Sequence, residues 1–234
     1  MFTSTSFIQE TENSKRLQFS DTCAISVFSP MLKRGINGLL LAFLTVSAWS
    51  PLMAQAADAD AFISTWTTTE TSDGSSNADQ IKLPLVRKGD YDFTVRWGDG
   101  INDNITSWDQ DEVTHTYTEE GEYTVIITGV IKGWSFGGEG DKLKLQRISQ
   151  WGNLKWGNTG AYFYGTQNLT IFTQDIPDLS GTNTMKNAFR ESGIRNIPNM
   201  SGWDVSNVTD MSVMFGGAKS FDQDIGGWDV SNVK

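Results

Sequence analysis

His115 is the single histidine of the 234-residue chain and Cys23 its single cysteine. A Ser-His-Asp arrangement needs an activated serine beside the imidazole and an orienting acid behind it. Thr114-His115-Thr116 supplies neither, so His115 reads as a structural residue hydrogen-bonded near a hairpin. Zinc would be left with carboxylates beyond that one imidazole, which is a poor ligand set for it. Carboxylates are more plentiful: Asp99, Asp103, Asp109, Asp111 and Glu112 gather in and after one turn, while Asp222 and Asp224 sit two apart on one face of a strand-like run. Hard oxygen ligands can collect calcium. An Asp-x-Asp-x-Asp-Gly loop with its distal glutamate is missing, however, so no cofactor is expected and calcium is the ion these residue types still permit. Tryptophan is the other chemical resource. Trp108, Trp134, Trp151 and Trp156 are flanked by Gly, Ser, Asn and Asp, which makes them the candidate ligand-facing residues. An exposed indole stacks on a sugar ring, so these four raise carbohydrate binding as an alternative function.

The elements that would position these side chains fall into two sets. Phe163, Phe189 and Phe215 are spaced 26 and 26 apart, as are Met185 and Met211, and Ile171 and Ile197. A fixed period in the twenties signals a solenoid. Around each Phe the apolar or small positions follow i, i+3, i+4, i+7, as in Met211, Met214, Phe215 and Ala218 or Met185, Ala188, Phe189 and Ser192. That spacing predicts a short helix with one buried stripe, limited to about two turns by Gly193 and by Gly216-Gly217. Extended pieces follow at 169–171, 195–197 and 221–225. Trp203-Asp204-Val205-Ser206-Asn207-Val208 recurs as Trp228-Asp229-Val230-Ser231-Asn232-Val233. Trp203 and Trp228 thus hold one phase, as repeat-defining core positions, and the Asp, Ser and Asn beside them suit tight turns. The chain ends before the next Phe of the series, so the last unit is expected to be incomplete.

Residues 61 to about 131 read as all-β. Ile81-Lys82-Leu83-Pro84-Leu85, Tyr91 to Trp97 and Tyr123 to Ile127 are alternating or β-branched runs. Lys88-Gly89-Asp90, Gly98-Asp99-Gly100 and Glu119-Glu120-Gly121 separate them as turns. The run Tyr123 to Ile127 has apolar residues on both faces, which places it centrally in its sheet.

The repeat from Met200 through Trp203-Asp204-Val205-Ser206-Asn207, Met211, Met214-Phe215 and Phe221-Asp222-Gln223-Asp224-Ile225 to Gly227-Trp228 resembles that of the BspA-like leucine-rich repeat surface proteins of bacteria. The resemblance is dense over 180–234; units from about 141 to 179 lack the Trp-Asp-Val-Ser-Asn signature and share only the phase. Trp97-Gly98-Asp99-Gly100 with Thr114-His115-Thr116-Tyr117 and Gly121-Glu122-Tyr123-Thr124-Val125 is similar to the PKD-like, immunoglobulin-like module. Together these imply a mainly β protein with short helices, a PKD-like β-sandwich at 57–135 followed by leucine-rich-repeat-like units at 141–234.

Lys33-Arg34, an apolar stretch from Gly38 to Val46 and Ala54-Gln55-Ala56 form a signal-peptide pattern over 31–56, with cleavage near Ala56. Residues 1–30 read as an untranslated or disordered extension, with translation starting at Met31. An apolar run of that length is far short of the roughly 20 residues a bilayer helix needs. The chain carries a net charge of −10, and 14 basic against 25 acidic residues remain past position 56. Nucleic-acid binding is thereby excluded, since it needs clustered Lys and Arg. The expectation is a secreted or cell-surface, non-enzymatic protein that binds a protein, matrix or cell-surface component, with no transmembrane span in the mature chain. The alternatives are a carbohydrate-binding module or the non-catalytic amino-terminal part of a larger secreted hydrolase.

Overall fold

The computed structural model describes residues 58–234. The expected leader at 31–56, the expected extension at 1–30 and Cys23 lie outside the described residues. Nine strands form: β1 Phe62–Thr67, β2 Gln80–Lys82, β3 Leu85–Arg96, β4 Asn102–Ile105, β5 Thr114–Thr116, β6 Glu122–Trp134, β7 Leu145–Gln150, β8 Leu154–Lys155 and β9 Thr170–Ile171. The protein is mainly β, and the helical elements among the described residues are 3-10 turns at Asp111–Val113 and Met200–Gly202.

Alternation builds the strands. Phe62, Ser64 and Trp66 of β1 are buried while Ile63, Thr65 and Thr67 are half-buried, and the Trp66 indole N–H donates to the buried Ser64 hydroxyl at 2.8 Å. The main sheet runs β4-β3-β6-β1-β7-β9, with β8 added to β6 and with β2-β5 as a separate two-stranded ribbon. The Tyr123 to Ile127 run is indeed internal, because β6 lies between β3 and β1. Gly98 and Gly100 turn the chain at φ +94° and +96°, and a Cβ on Gly98 would stand 2.7 Å from the Thr124 carbonyl oxygen.

Lys88-Gly89-Asp90 does not separate two strands. It lies within β3, where the register jumps from Leu85 opposite Trp134 to Asp90 opposite Lys132. The surplus residues bulge out, and the Tyr91 hydroxyl ties the bulge down by accepting from the Val86 N–H at 2.8 Å and donating to the Gly133 carbonyl at 2.7 Å. The boundary near residue 135 is also crossed by the sheet, since β1 pairs with β7 as well as β6. One buried cluster then extends from Phe62 to Trp228.

The short helices around Phe189 and Phe215 do not form. Instead the chain passes through successive turns in which Ala188, Arg190 and Ser192 N–H groups donate to the Met185, Asn187 and Phe189 carbonyls. Asn187 and Glu191 both adopt φ +54°, in phase with Ala161 and Gly165 before them and with Val213 and Gly217 after. A left-handed residue every fourth position halts a right-handed helix. The i, i+3, i+4, i+7 stripe survives without the helix: Met185, Ala188 and Phe189 are fully buried and Ser192 nearly so.

The remaining amides of this run point to the following unit. Met185, Asn187, Phe189 and Glu191 donate to the Asp210, Ser212, Met214 and Gly216 carbonyls, and Ala161, Phe163 and Gly165 donate to Lys186, Ala188 and Arg190. Alternate amides thus serve the unit's own turns and its neighbour, leaving few of these backbone donors unmet. Phe163 stacks on Phe189 at 5.4 Å and 12°, Phe189 on Phe215 at 6.0 Å and 6°, and Trp203 on Trp228 at 6.3 Å and 14°. Of the three extended pieces, the first forms β9, parallel to β7. Residues 195–197 and 221–225 are not strands. There the Gln223 amide stands in for a ladder, accepting the Ile197 N–H at 2.8 Å and donating to the Ile197 carbonyl at 3.1 Å.

Candidate interaction surface

The β3–β4 turn and β5 bring Asp99 to His115. His115 Nε2 lies 2.7 Å from Asp99 Oδ2, and the imidazole stacks on Trp97 at 4.8 Å and 7° while meeting Tyr117 edge-on at 4.6 Å. Tyr117 donates to the Trp97 carbonyl at 3.0 Å and stacks on Tyr123 at 3.7 Å. Burial would raise the Asp99 pKa, but the His115 hydrogen bond, the Ile101 N–H and the imidazole charge outweigh it and hold the carboxyl below its ordinary value. Joined to Asp99 and stacked on Trp97, the imidazole ties β5 to the β3–β4 turn.

The acidic residues of that region disperse into separate tasks. Asp103 accepts the Trp97 indole N–H at 2.8 Å, Asp109 pairs with Ser107, and Glu112 accepts from Gln110 at 3.1 Å. Asp224 accepts the Gly226 N–H at 2.8 Å, closing a turn. Among the described residues no three carboxylate, His or Cys side chains converge on one point.

The four candidate tryptophans part company. Trp108 is 39% exposed. Trp134, Trp151 and Trp156 are fully buried, a correction to their reading as ligand-facing residues. Their glycine-rich neighbours mark tight packing: a Cβ on Gly152 would lie 2.2 Å from the Ala61 carbonyl oxygen, and Gly133 has Val86 and Gly89 within 3 Å of that position. Trp151 and Trp156 meet Phe163 at 5.8 and 5.3 Å and Trp203 at 6.1 and 5.6 Å, so they begin the aromatic column that the repeats continue. Of the repeat-defining residues, Phe163, Phe189, Trp203 and Trp228 are buried, and Met211 and Phe215 are half-buried on the last unit.

A buried ion pair escaped the sequence reading. Lys144 and Asp141 side chains are wholly shielded, with Nζ 3.6 Å from Oδ1. Lys144 Nζ donates to the Ser76, Asn77 and Gln80 carbonyls at 3.0, 2.7 and 2.8 Å and to the Ser76 hydroxyl at 2.8 Å. Asp141 accepts from Ser76 N–H and hydroxyl and from Lys82 N–H, each at 2.7 Å. Burial pulls the lysine pKa down and Asp141 opposes the shift. The pair staples the 72–82 loop to the start of β7. No local pattern in Asp141-Lys142-Leu143-Lys144 distinguishes the buried lysine from the half-buried one two residues before it.

The outer face of the repeats is polar and ordered by its own side chains. Asp204, Asp210 and Asp229 accept the N–H two residues on at 3.1, 2.8 and 3.0 Å, which with the neighbouring serines lowers each carboxyl pKa. Asn232 reaches the Ser206 carbonyl of the preceding unit at 2.8 Å, and Asn199 reaches Gln174 at 3.1 Å. These turns fix an extended surface. Residues 135–234 match the model of a family described as Mycoplasma protein of unknown function, DUF285. No curated protein and no solved structure matches the chain.

Proposed function

We propose that this chain is an exported bacterial surface protein that mediates protein-protein interaction or adhesion through its repeats, without catalytic activity. In this reading the units over 141–234 are a leucine-rich-repeat-like, BspA-like solenoid, and the strands ahead of them are a PKD-like module that caps it. The observation that carries the reading is the amide ladder between successive 26-residue units, with its Phe163, Phe189 and Phe215 stack. Such an array keeps side chains at fixed spacing along a rigid face, which is the property repeat proteins use for binding. The chain's own segment Ser135 to Gly137 closes the near end of the array, with Phe136 N–H donating to the Tyr162 carbonyl at 3.2 Å and Gly137 to Ala161 at 3.2 Å. No helix among the described residues is long and apolar enough to cross a membrane. Export through the 31–56 leader completes the proposal.

The test is binding of the full chain to a panel of immobilised matrix and cell-surface proteins, beside a glycan array. Saturable capture by panel members with a blank array is the expected outcome. The reverse pattern would transfer the function to carbohydrate, a reading favoured by the exposed Trp108. Amino-terminal sequencing of the exported protein tests the leader, and an intact 31–56 segment would reject it.

A further inference from the structure

The alternation that buries Ile171 turns Phe172 outward, and it is 70% exposed, more than the other large apolar residues among those described. It borders a groove of about 460 Å³ lined by Arg147 of β7, Thr170, Ile171 and Phe172 at β9, and Arg195 and Asn196 beyond. The backbone there is fixed: Arg147 pairs with Thr170 in the parallel ladder, and Phe172 N–H donates to the Ile148 carbonyl at 2.9 Å. Arg147 and Arg195 are exposed, and the four ion pairs among the described residues include neither. No carboxylate lines the groove. Two unpaired guanidinium groups therefore stand together on a chain with ten more acids than bases. Exposed charges are felt over about 8 Å at physiological ionic strength, so a ligand in the groove meets these arginines and not the net negative charge.

We propose that this groove binds an acidic segment of a partner protein, with carboxylates on Arg147 and Arg195 and an apolar side chain against Phe172. The proposal rests on the protein-interaction reading above and gives that partner its chemistry. Guanidinium forks match carboxylates in paired hydrogen bonds, which a point-charge lysine does not. The exposed Phe172 ring beside the two arginines favours a polypeptide over an acidic glycan, because a peptide brings an apolar side chain together with its carboxylates. A sulfated sugar supplies the anions alone.

The probe is a fluorescein-labelled decapeptide of alternating Asp and Leu, followed by anisotropy on the full chain, beside a counterpart with Asn for every Asp and a heparin hexasaccharide competitor. The acidic peptide should bind at least about tenfold more tightly than the neutral one, and weaken as salt rises. Arg147→Gln and Arg195→Gln should each weaken it about five- to tenfold and Phe172→Ala about fivefold, while Arg96→Gln on the remote strand β3 leaves it unchanged. Circular dichroism and melting curves matching the unsubstituted chain establish that the variants fold. Equal binding of the neutral peptide, indifference to the arginine substitutions, or tighter binding of the hexasaccharide through the same residues would overturn the proposal. Panel binding that survives Arg147→Gln with Arg195→Gln overturns the groove and leaves the adhesion reading standing. An unsubstituted chain that captures no panel protein overturns the adhesion reading itself.

Discussion

Phe189→Ala removes the middle ring of the stack and should be among the costliest single changes in the repeats. The side chain is fully buried, lies between Phe163 at 5.4 Å and Phe215 at 6.0 Å, and touches Trp156 at 5.8 Å and Trp203 at 6.1 Å. Truncating a buried Phe to Ala costs about 3–5 kcal/mol. Each aromatic pair adds about 0.5–1.5 kcal/mol beyond its area, which places this site toward the upper end, near 4–5 kcal/mol. Neighbouring turns hold their own backbone bonds and limit collapse into the space. Phe215→Ala is the internal comparison, because that ring, though stacked on Phe189 at 6.0 Å and on Phe221 at 3.9 Å, is only half-buried, as is Phe221 itself. About 2 kcal/mol is expected there. For a protein of this size each kcal/mol shifts Tm by roughly 2–4 °C, so Phe189→Ala should lower Tm by about 8–20 °C and Phe215→Ala by about 4–8 °C. Urea titration with an unchanged slope would give the energies, and hydrogen exchange would show early loss of protection at the Asn187, Phe189 and Glu191 amides. A Phe189→Ala cost no larger than that of Phe215→Ala would refute the argument that the stack couples successive units.

Lys144→Met leaves Asp141 buried without its cation and empties four acceptors, so a loss of about 3–5 kcal/mol is expected in urea unfolding. A neutral result would show that the loop 72–82 holds without the pair. Acid should act through carboxyls whose folded pKa is depressed: Asp99, the turn residues Asp204, Asp210 and Asp229, and Asp178, which is held at about 2 by Lys155 and Ser180. Their contribution is complete above the unfolded carboxylate value of about 4 and is lost as pH falls through the folded values, so Tm should be level down to about pH 4.5 and fall between about 4 and 2. Asp178→Asn should flatten only a small part of that fall, because Asp178 and Lys155 side chains are 44% and 38% exposed. A melting temperature that rises on acidification across that interval would contradict the assignment. Val213 adopts φ +54° at 53% exposure, where a β-branched side chain is strained, and Val213→Gly should gain about 1 kcal/mol in chemical denaturation. Destabilisation of similar size would show that the valine makes contacts worth more than its strain.

The phase of the repeats was legible because Phe163, Phe189 and Phe215 must bury the same ring against the same neighbours, and a periodic core writes a periodic sequence. The local conformation was not legible. A run of turns that buries positions 185, 188, 189 and 192 yields the same apolar spacing as a helix, and the left-handed residues that decide between them are Ala161, Asn187, Glu191 and Val213, of which only the asparagine is a type that favours φ above zero. In the strand region, Trp97, Gly98, Asp99 and His115 come together although β5 pairs with β2 and not with β3 or β4, so the grouping is legible only through the resemblance to the PKD-like module and not from a local signal. Trp134, Trp151 and Trp156 were misplaced because a glycine beside an indole marks an exposed loop and a crowded interior equally well; the close approaches at Gly133 and Gly152 are set by residues far away in the chain. The Lys144–Asp141 pair and the groove at Phe172 depend on which segments meet, Ser76 in one case and Arg195 in the other. Such meetings carry no short-range signature.

The alternation of amides between home and neighbouring units imposes a rule of parity on the chain. Within 185–192, even-numbered amides close turns and odd-numbered ones bond the next unit, so inserting or deleting one residue would exchange the two sets. Donors meant for the neighbour would face inward, and the ring of Phe189 would leave the column with them. Change by a whole unit of 26 residues disturbs nothing. The array can therefore lengthen or shorten by duplication and loss of complete units while resisting steps of an odd number of residues within a unit, and its length becomes a digital quantity that can be adjusted without redesigning the fold.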